Sequence, residues 1–197
     1  MGLPQKTPRM TPAEYLTKER AASYRSEFFN GEMFTMAGGS LNHSRIAKNV
    51  IRQLGNQLAT SPCEPFTSDL RVVCPTGLMT YPDVSVICGD PAFEDGRKDS
   101  ILNPTLLVEV LSQTTERYDR SKKFDNYRTI ESLREYVLIA QDEPMIQTFS
   151  RNDDGTWTLR VANALDQRIP LTSIDCELRL ADIYDRVDFD QAEVRAD

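Results

Sequence analysis

Residues 105–111 read Thr-Leu-Leu-Val-Glu-Val-Leu, and the placement of this run decides the fold. An apolar stretch of this length, bounded by Pro104 and Ser112, fits a central strand buried on both faces of a sheet. Glu109 is the exception inside it. A carboxylate there loses its hydration, so a cation, a hydrogen-bond network or a proton must compensate. A divalent metal is one such partner. A place at the solvent end of the strand, or a structural arginine, would serve as well.

Downstream, the apolar spacing predicts a helix over 116–130. On a wheel of about 100° per residue with Tyr118 at zero, Ile130, Tyr127 and Phe124 fall at about 120°, 180° and 240°. Lys123 falls inside that apolar face at about 140° and Arg120 at about 200°, whereas Lys122 and Asp125 lie on the solvent side. Lys123 is therefore the member of the lysine pair predicted to face the sheet that carries Glu109, where a cation needs a counter-charge. The alternative is a stem packed on the core with its ammonium snorkelling outward.

Upstream, residues 81–87 read Tyr-Pro-Asp-Val-Ser-Val-Ile, with Asp83 at a strand start because Pro82 cannot donate to a ladder. Two carboxylates at adjacent strand ends, with a water and a main-chain carbonyl, would supply the oxygen ligands that Mg²⁺ prefers. Asn30-Gly31 marks a hairpin turn, and Glu32 after it either aims a third carboxylate at such a site or is simply solvated. Gly38-Gly39-Ser40 opens a longer helix in which His43 shares a face with Ile46, Val50 and Leu54. His43 thus points at a substrate or carboxylate, or sits at the edge of the core. Arg45, Lys48 and Arg52 lie on the opposite face, and no Asp or Glu occurs between Glu32 and Glu64, so this stretch is either a small basic stripe or an ordinary solvated face.

A short helix is predicted over 11–20 from a capping box, and further strands over 66–74, 81–88, 135–140, 145–150 and 157–161, with a strand end and short helix over 178–187. Together these describe an α/β protein with one mixed central sheet. The 197 residues carry no repeat or low-complexity linker and read as a single domain, with a core over about 10–187 and an acidic tail over about 188–197. The net charge of −7 argues on its face against a nucleic-acid partner. However, residues 175–197 hold eight acidic and three basic residues, so most of the excess lies at one end. Cys63, Cys74, Cys88 and Cys176 form no CxxC and read as buried free thiols. The longest apolar run, 136–140, is far shorter than a membrane span of roughly 20 residues, and a soluble, cytoplasmic protein is expected. There is no G-x-S-x-G, P-loop or G-x-G-x-x-G motif.

Residues 81–87, 104–124 and 127–139, with Met-Thr-Pro-Ala-Glu-Tyr-Leu at 10–16 and Phe-Asn-Gly-Glu at 29–32, together resemble the Uma-type restriction endonucleases of the PD-(D/E)XK nuclease superfamily. The resemblance spans about residues 10–185. It implies a restriction-endonuclease-like core, a mixed sheet of about five strands flanked by α-helices, and Mg²⁺-dependent hydrolysis of DNA phosphodiester bonds, with Mn²⁺ as a substitute. Asp83 matches the family's Pro-Asp motif and Glu109 the acidic residue of the next strand. Leu111 stands where the superfamily lysine is expected, and Lys123 matches the Uma-type lysine on the following helix. Glu32 and His43 match an acidic and a polar position.

Carried over in this way, Asp83, Glu109 and the Val110 carbonyl hold the metal, Lys123 orients the attacking water or stabilises developing charge, and Glu32 binds metal or its water. Arg45, Lys48, Arg52 and Arg120 hold the DNA backbone with little sequence readout. His43 and Tyr127 are accessory candidates, and a homodimer suits cleavage of two strands. Two competing readings are a nuclease-fold protein that binds nucleic acid or a protein partner without cutting, and a hydrolase of small phosphate esters.

Overall fold

The computed structural model describes residues 9–189. Helix α1 (Pro12–Ala21) starts at Thr11, whose hydroxyl accepts from the Glu14 amide while the Glu14 carboxylate accepts from the Thr11 amide. A hairpin follows, β1 (Ser26–Phe29) and β2 (Glu32–Thr35), turning through Asn30 and Gly31, both at positive φ. Helix α2 (Leu41–Gln57) is capped by Ser40 and buries Ile46, Val50 and Leu54. Each of these stabilises by roughly 1.5–3 kcal/mol relative to exposure.

The chain then runs through β3 (Cys63–Thr67), β4 (Arg71–Val73), β5 (Met79–Thr80), β6 (Val84–Cys88), β7 (Ser100–Ile101) and β8 (Leu106–Leu111). A helical connection follows, made of α3 (Glu116–Tyr118), a π-helical turn (Asp119–Lys123) and α4 (Phe124–Tyr127). The last elements are β9 (Glu135–Ala140), β10 (Ile146–Arg151), β11 (Trp157–Ala162), β12 (Arg168–Leu171), β13 (Cys176–Arg179) and α5 (Leu180–Ile183).

The fold is mixed α/β, but the strands form two mixed sheets rather than one central sheet of about five strands. One has the order β11-β10-β9-β8-β6-β3 and the other β2-β1-β5-β4-β7, beside a β12-β13 ribbon. The predicted strand over 66–74 is broken by a turn at Thr67–Leu70, which sends β3 and β4 to different sheets. Likewise the run over 81–88 is a strand only from Val84, because Tyr81, Pro82 and Asp83 carry the chain from β5 in one sheet to β6 in the other. The predicted helix over 116–130 ends at Tyr127.

Every residue of β8 is buried. It lies parallel to β9, as a helical crossover between the two strands requires, and antiparallel to β6. Leu106, Val108 and Val110 pack with α2, while Leu107 and Leu111 pack with Tyr127, Ile130 and Tyr136 on the helical connection and β9. Glu109 shares the second face.

Residues 176–184 add Leu178, Leu180, Ile183 and Tyr184 to the α2 core. The acid-rich end that begins at Asp175 is therefore structural through that point, and 190–197, most of the expected tail, lies outside the described residues. Two of the four cysteines are not free thiols. Cys63 and Cys88 stand directly opposite in the β3–β6 register and are joined by a disulfide, while Cys74 and Cys176 are free and buried. Only the register brings the pair together, and their 25-residue separation hides it. Among the described residues no helix is long and apolar enough to cross a membrane.

Candidate active site

Glu109 reaches the face of β8 on which the helical connection lies, and Lys123 comes down onto it. The Lys123 Nζ is 3.0 Å from Glu109 Oε1, 3.0 Å from Glu27 Oε1 and 3.5 Å from Asp119 Oδ1. Lys122 is exposed, so the helix presents the lysine that the wheel selects. Because Glu27 is on β1 and Glu109 on β8, this ammonium ties the two sheets together. Tyr127 adds a hydrogen bond, its hydroxyl donating to Glu109 Oε1 at 2.7 Å.

Asp83, in the crossover between the sheets, accepts from the Val110 amide at 2.7 Å through Oδ2, and His43 Nε2 lies 3.2 Å from the same oxygen. The fit of His43 depends on Gly39, where a Cβ would stand 2.8 Å from the imidazole Nδ1. Asp83 and His43 are the more exposed members, with 16% and 20% of their side-chain surfaces open, and Glu109 and Lys123 form the floor at 6% and 7%.

Burial pushes the Glu109 carboxyl up to about 8, against the pull of Lys123, and the charges of Asp119 and Asp83 push the same way. Burial also disfavours a charged Lys123, but Glu109, Glu27 and Asp119 outweigh it and hold the ammonium well above the usual lysine range. For His43 burial again opposes charge, and the hydrogen bond and charge of Asp83 raise its pKa regardless. Displaced titrations gather at functional sites, and buried structural ion-pair networks displace them as well.

Two members were not found from the sequence. Glu27 occupies the place expected for Glu32, which lies exposed on the edge strand β2. Both project on one face of the hairpin, yet Glu27 belongs to the strand next to β5, where the Thr80 hydroxyl also donates to it. Asp119 is buried in the π-helical turn, and its i, i+4 spacing to Lys123 was the available signal. Of the basic residues, Arg45 is half-buried, Lys48 is exposed and Arg52 lies 3.9 Å from Asp185. Arg120 is paired with Glu116 at 2.7 Å and hydrogen-bonded to Gln147.

The donor set suits a hard cation. The hydrogen bonds to Asp83 fall on Oδ2 and those to Glu109 on Oε1, so Oδ1 and Oε2 carry none among the described residues. No group of three or more His, Cys, Asp or Glu side chains is arranged as a metal cage among the described residues. Mg²⁺ does not require one, since it is commonly bound by one or two carboxylates together with waters and substrate phosphate.

A family model described as "Uma2: Putative restriction endonuclease" matches residues 12–181. The uncharacterized protein sll1609 of Synechocystis sp. is 38% identical over 151 residues, covering 76% of this chain and 85% of its own length. A second uncharacterized protein of that organism, slr1290, is 38% identical over 180 residues, covering 90% and 92%. The crystal structure of a putative nuclease belonging to DUF820 from Anabaena variabilis superposes with a TM-score of 0.68 at 17% identity, over 83% of this chain and 91% of the other. This chain therefore shares the fold of that protein.

Proposed function

The chain belongs to the Uma2 family, and from that premise we propose that it is a Mg²⁺-dependent endonuclease hydrolysing DNA phosphodiester bonds. The observation that carries this reading is the convergence of Glu109, buried in a central strand, with Asp83 and the buried ammonium of Lys123. Isolated buried charges cost several kcal/mol each, and a purely structural pair is often replaceable by apolar side chains.

Asp83 and Glu109 would hold the metal through the oxygens that carry no hydrogen bond, with the Val110 carbonyl as the main-chain ligand. A bound Mg²⁺ lowers the pKa of a coordinated water and neutralises charge on the scissile phosphate, and Mn²⁺ suits the same oxygen donors. His43 keeps Asp83 oriented by its contact at Oδ2. Lys123, held by Glu27, Asp119 and Glu109, keeps an ammonium beside the reacting centre to orient the attacking water. Arg45, Lys48 and Arg52 would meet the phosphate backbone, with strong salt dependence. A homodimer would place one site on each strand.

Nicking of supercoiled plasmid DNA tests the reading. Cleavage should require Mg²⁺ or Mn²⁺ and disappear in Glu109→Ala; equal, metal-independent activity in both proteins overturns the site.

A second reading, a nuclease-fold protein that binds nucleic acid or a protein partner without cutting, has its own observation. The Lys123 ammonium already lies 3.0 Å from both Glu109 and Glu27, so each of these carboxylates has a cationic partner without a metal. Calorimetric titration separates the two: divalent binding lost in Asp83→Ala supports the nuclease, and no divalent binding supports the second reading.

A further inference from the structure

At the far end of the helical connection a second charged cavity has no part in this chemistry. It has a volume of about 560 Å³ and is lined by Arg128, Arg134 and Arg151, with Asp153, Asn152 and Trp157. Arg134 stands four residues before Leu138, the β9 partner of Glu109, which is about 13 Å along the strand.

The arginines here are fixed rather than loose. Arg151 pairs with Trp157 across the β10–β11 register, and its guanidinium lies 4.9 Å over the indole. Its Nη1 donates to the carbonyls of Ile130 and Glu131 at 3.2 and 3.1 Å, and its Nη2 to that of Arg128. Arg134 Nη1 donates to the Glu131 carbonyl at 2.7 Å. These bonds leave the Nε of both residues and Nη2 of Arg134 without a partner among the described residues.

The charges are also unbalanced. Arg128 has Asp125 at 3.1 Å, but neither Arg134 nor Arg151 has a carboxylate within 4.0 Å among the described residues. Burial and then the Arg134 charge lower the pKa of Arg151, with the Glu131 carboxylate opposing them by a smaller amount, so the two guanidinium groups work against each other. Asp153 on the wall does not pair with either. Two immobilised forks with spare N–H donors and mutual repulsion are what an oxyanion with several acceptor oxygens relieves.

We propose that this cavity is a binding site for a phosphoryl group, distinct from the Asp83 and Glu109 cluster. The same chemistry is offered by a free phosphate or nucleotide and by the terminal phosphate of a nucleic acid.

Trp157 is the only tryptophan of the chain, and Arg151 lies over its ring, so its fluorescence reports occupancy directly. The full chain is titrated at low ionic strength, without divalent cation, with inorganic phosphate, AMP, and a short oligonucleotide with or without a 5′-phosphate. A saturable change is expected, weakened about tenfold or more in Arg134→Gln, less in Arg134→Lys, and retained in Glu109→Gln. Arg134 is exposed, and thermal melting verifies that its variants keep the fold. Saturation by inorganic phosphate or AMP assigns the free anion. Saturation only by the 5′-phosphorylated oligonucleotide assigns the nucleic-acid end. A response no different from that of potassium chloride at equal ionic strength, or one undiminished in Arg134→Gln, overturns the proposal. None of these readings depends on cleavage or on a metal.

Discussion

The Lys123 ammonium lies 3.0 Å from the carboxylates of both Glu109 and Glu27, so residues from a central strand, a peripheral hairpin and a π-helical turn share one buried cation with Asp119. Lys123→Met removes the cation and leaves the carboxylates buried, which costs roughly 3–5 kcal/mol when one partner of such a pair is lost. The carboxylates can escape part of this cost by taking up protons. The destabilisation should therefore be larger at pH 8 than at pH 5, measured by urea denaturation. An equal loss at both pH values would mean that the carboxylates do not rely on Lys123.

His43 touches Asp83 Oδ2 and no carboxylate of the floor. Groups that orient a metal ligand from behind typically change affinity or activity by 10–100-fold when removed. His43→Ala should weaken Mg²⁺ binding by about that factor in calorimetry, with His43→Gln, which keeps a donor, recovering part of it. Unchanged affinity in the alanine variant would show that the imidazole serves only the core edge.

The buried strand at 106–111, the basic helix and the inward turn of Lys123 could be read from sequence because each rests on a local period, two residues for a strand and 3.6 for a helix. The existence of a second sheet could not. It depends on turns at 67–70 and 81–83 that redirect continuous apolar runs, and an apolar run does not say which sheet it joins. Glu27 was missed for the same reason, since it shares the Lys123 ammonium with Glu109 of β8 across the junction between the sheets. The disulfide needed the β3–β6 register, which no spacing rule supplies.

Away from the cluster, Arg20 grips Asp99 through Nε at 2.7 Å and Nη2 at 2.8 Å, and joins α1 to the segment before β7. The hydrogen bonds from Arg20 hold the Asp99 carboxyl down at about 2, against a partial desolvation. An unfolded chain takes up this proton at about pH 4, before the folded one does, so the stabilisation is complete above that pH and is lost as pH falls through 2. Asp99→Asn should lower the melting temperature at neutral pH, and the two curves should converge as pH falls from about 4 to 2. A constant offset over that range would exclude a titrating contribution.

Cys63 and Cys88 face each other across β3 and β6, and β3 is the edge of the six-stranded sheet, with β6 as its only strand neighbour among the described residues. Closing a loop of 25 residues restricts the unfolded chain by roughly 3 kcal/mol in the chain-entropy description. Reduction should therefore lower the urea midpoint by the equivalent of about 2–4 kcal/mol. A Cys63→Ala/Cys88→Ala variant should show a comparable loss without reductant and no response to it. Asp83 precedes the first residue of β6 whereas Cys88 is its last, so Mg²⁺ affinity at the cluster should survive reduction. Equal stability of the oxidised and reduced protein would show instead that the pairing with β6 alone secures β3.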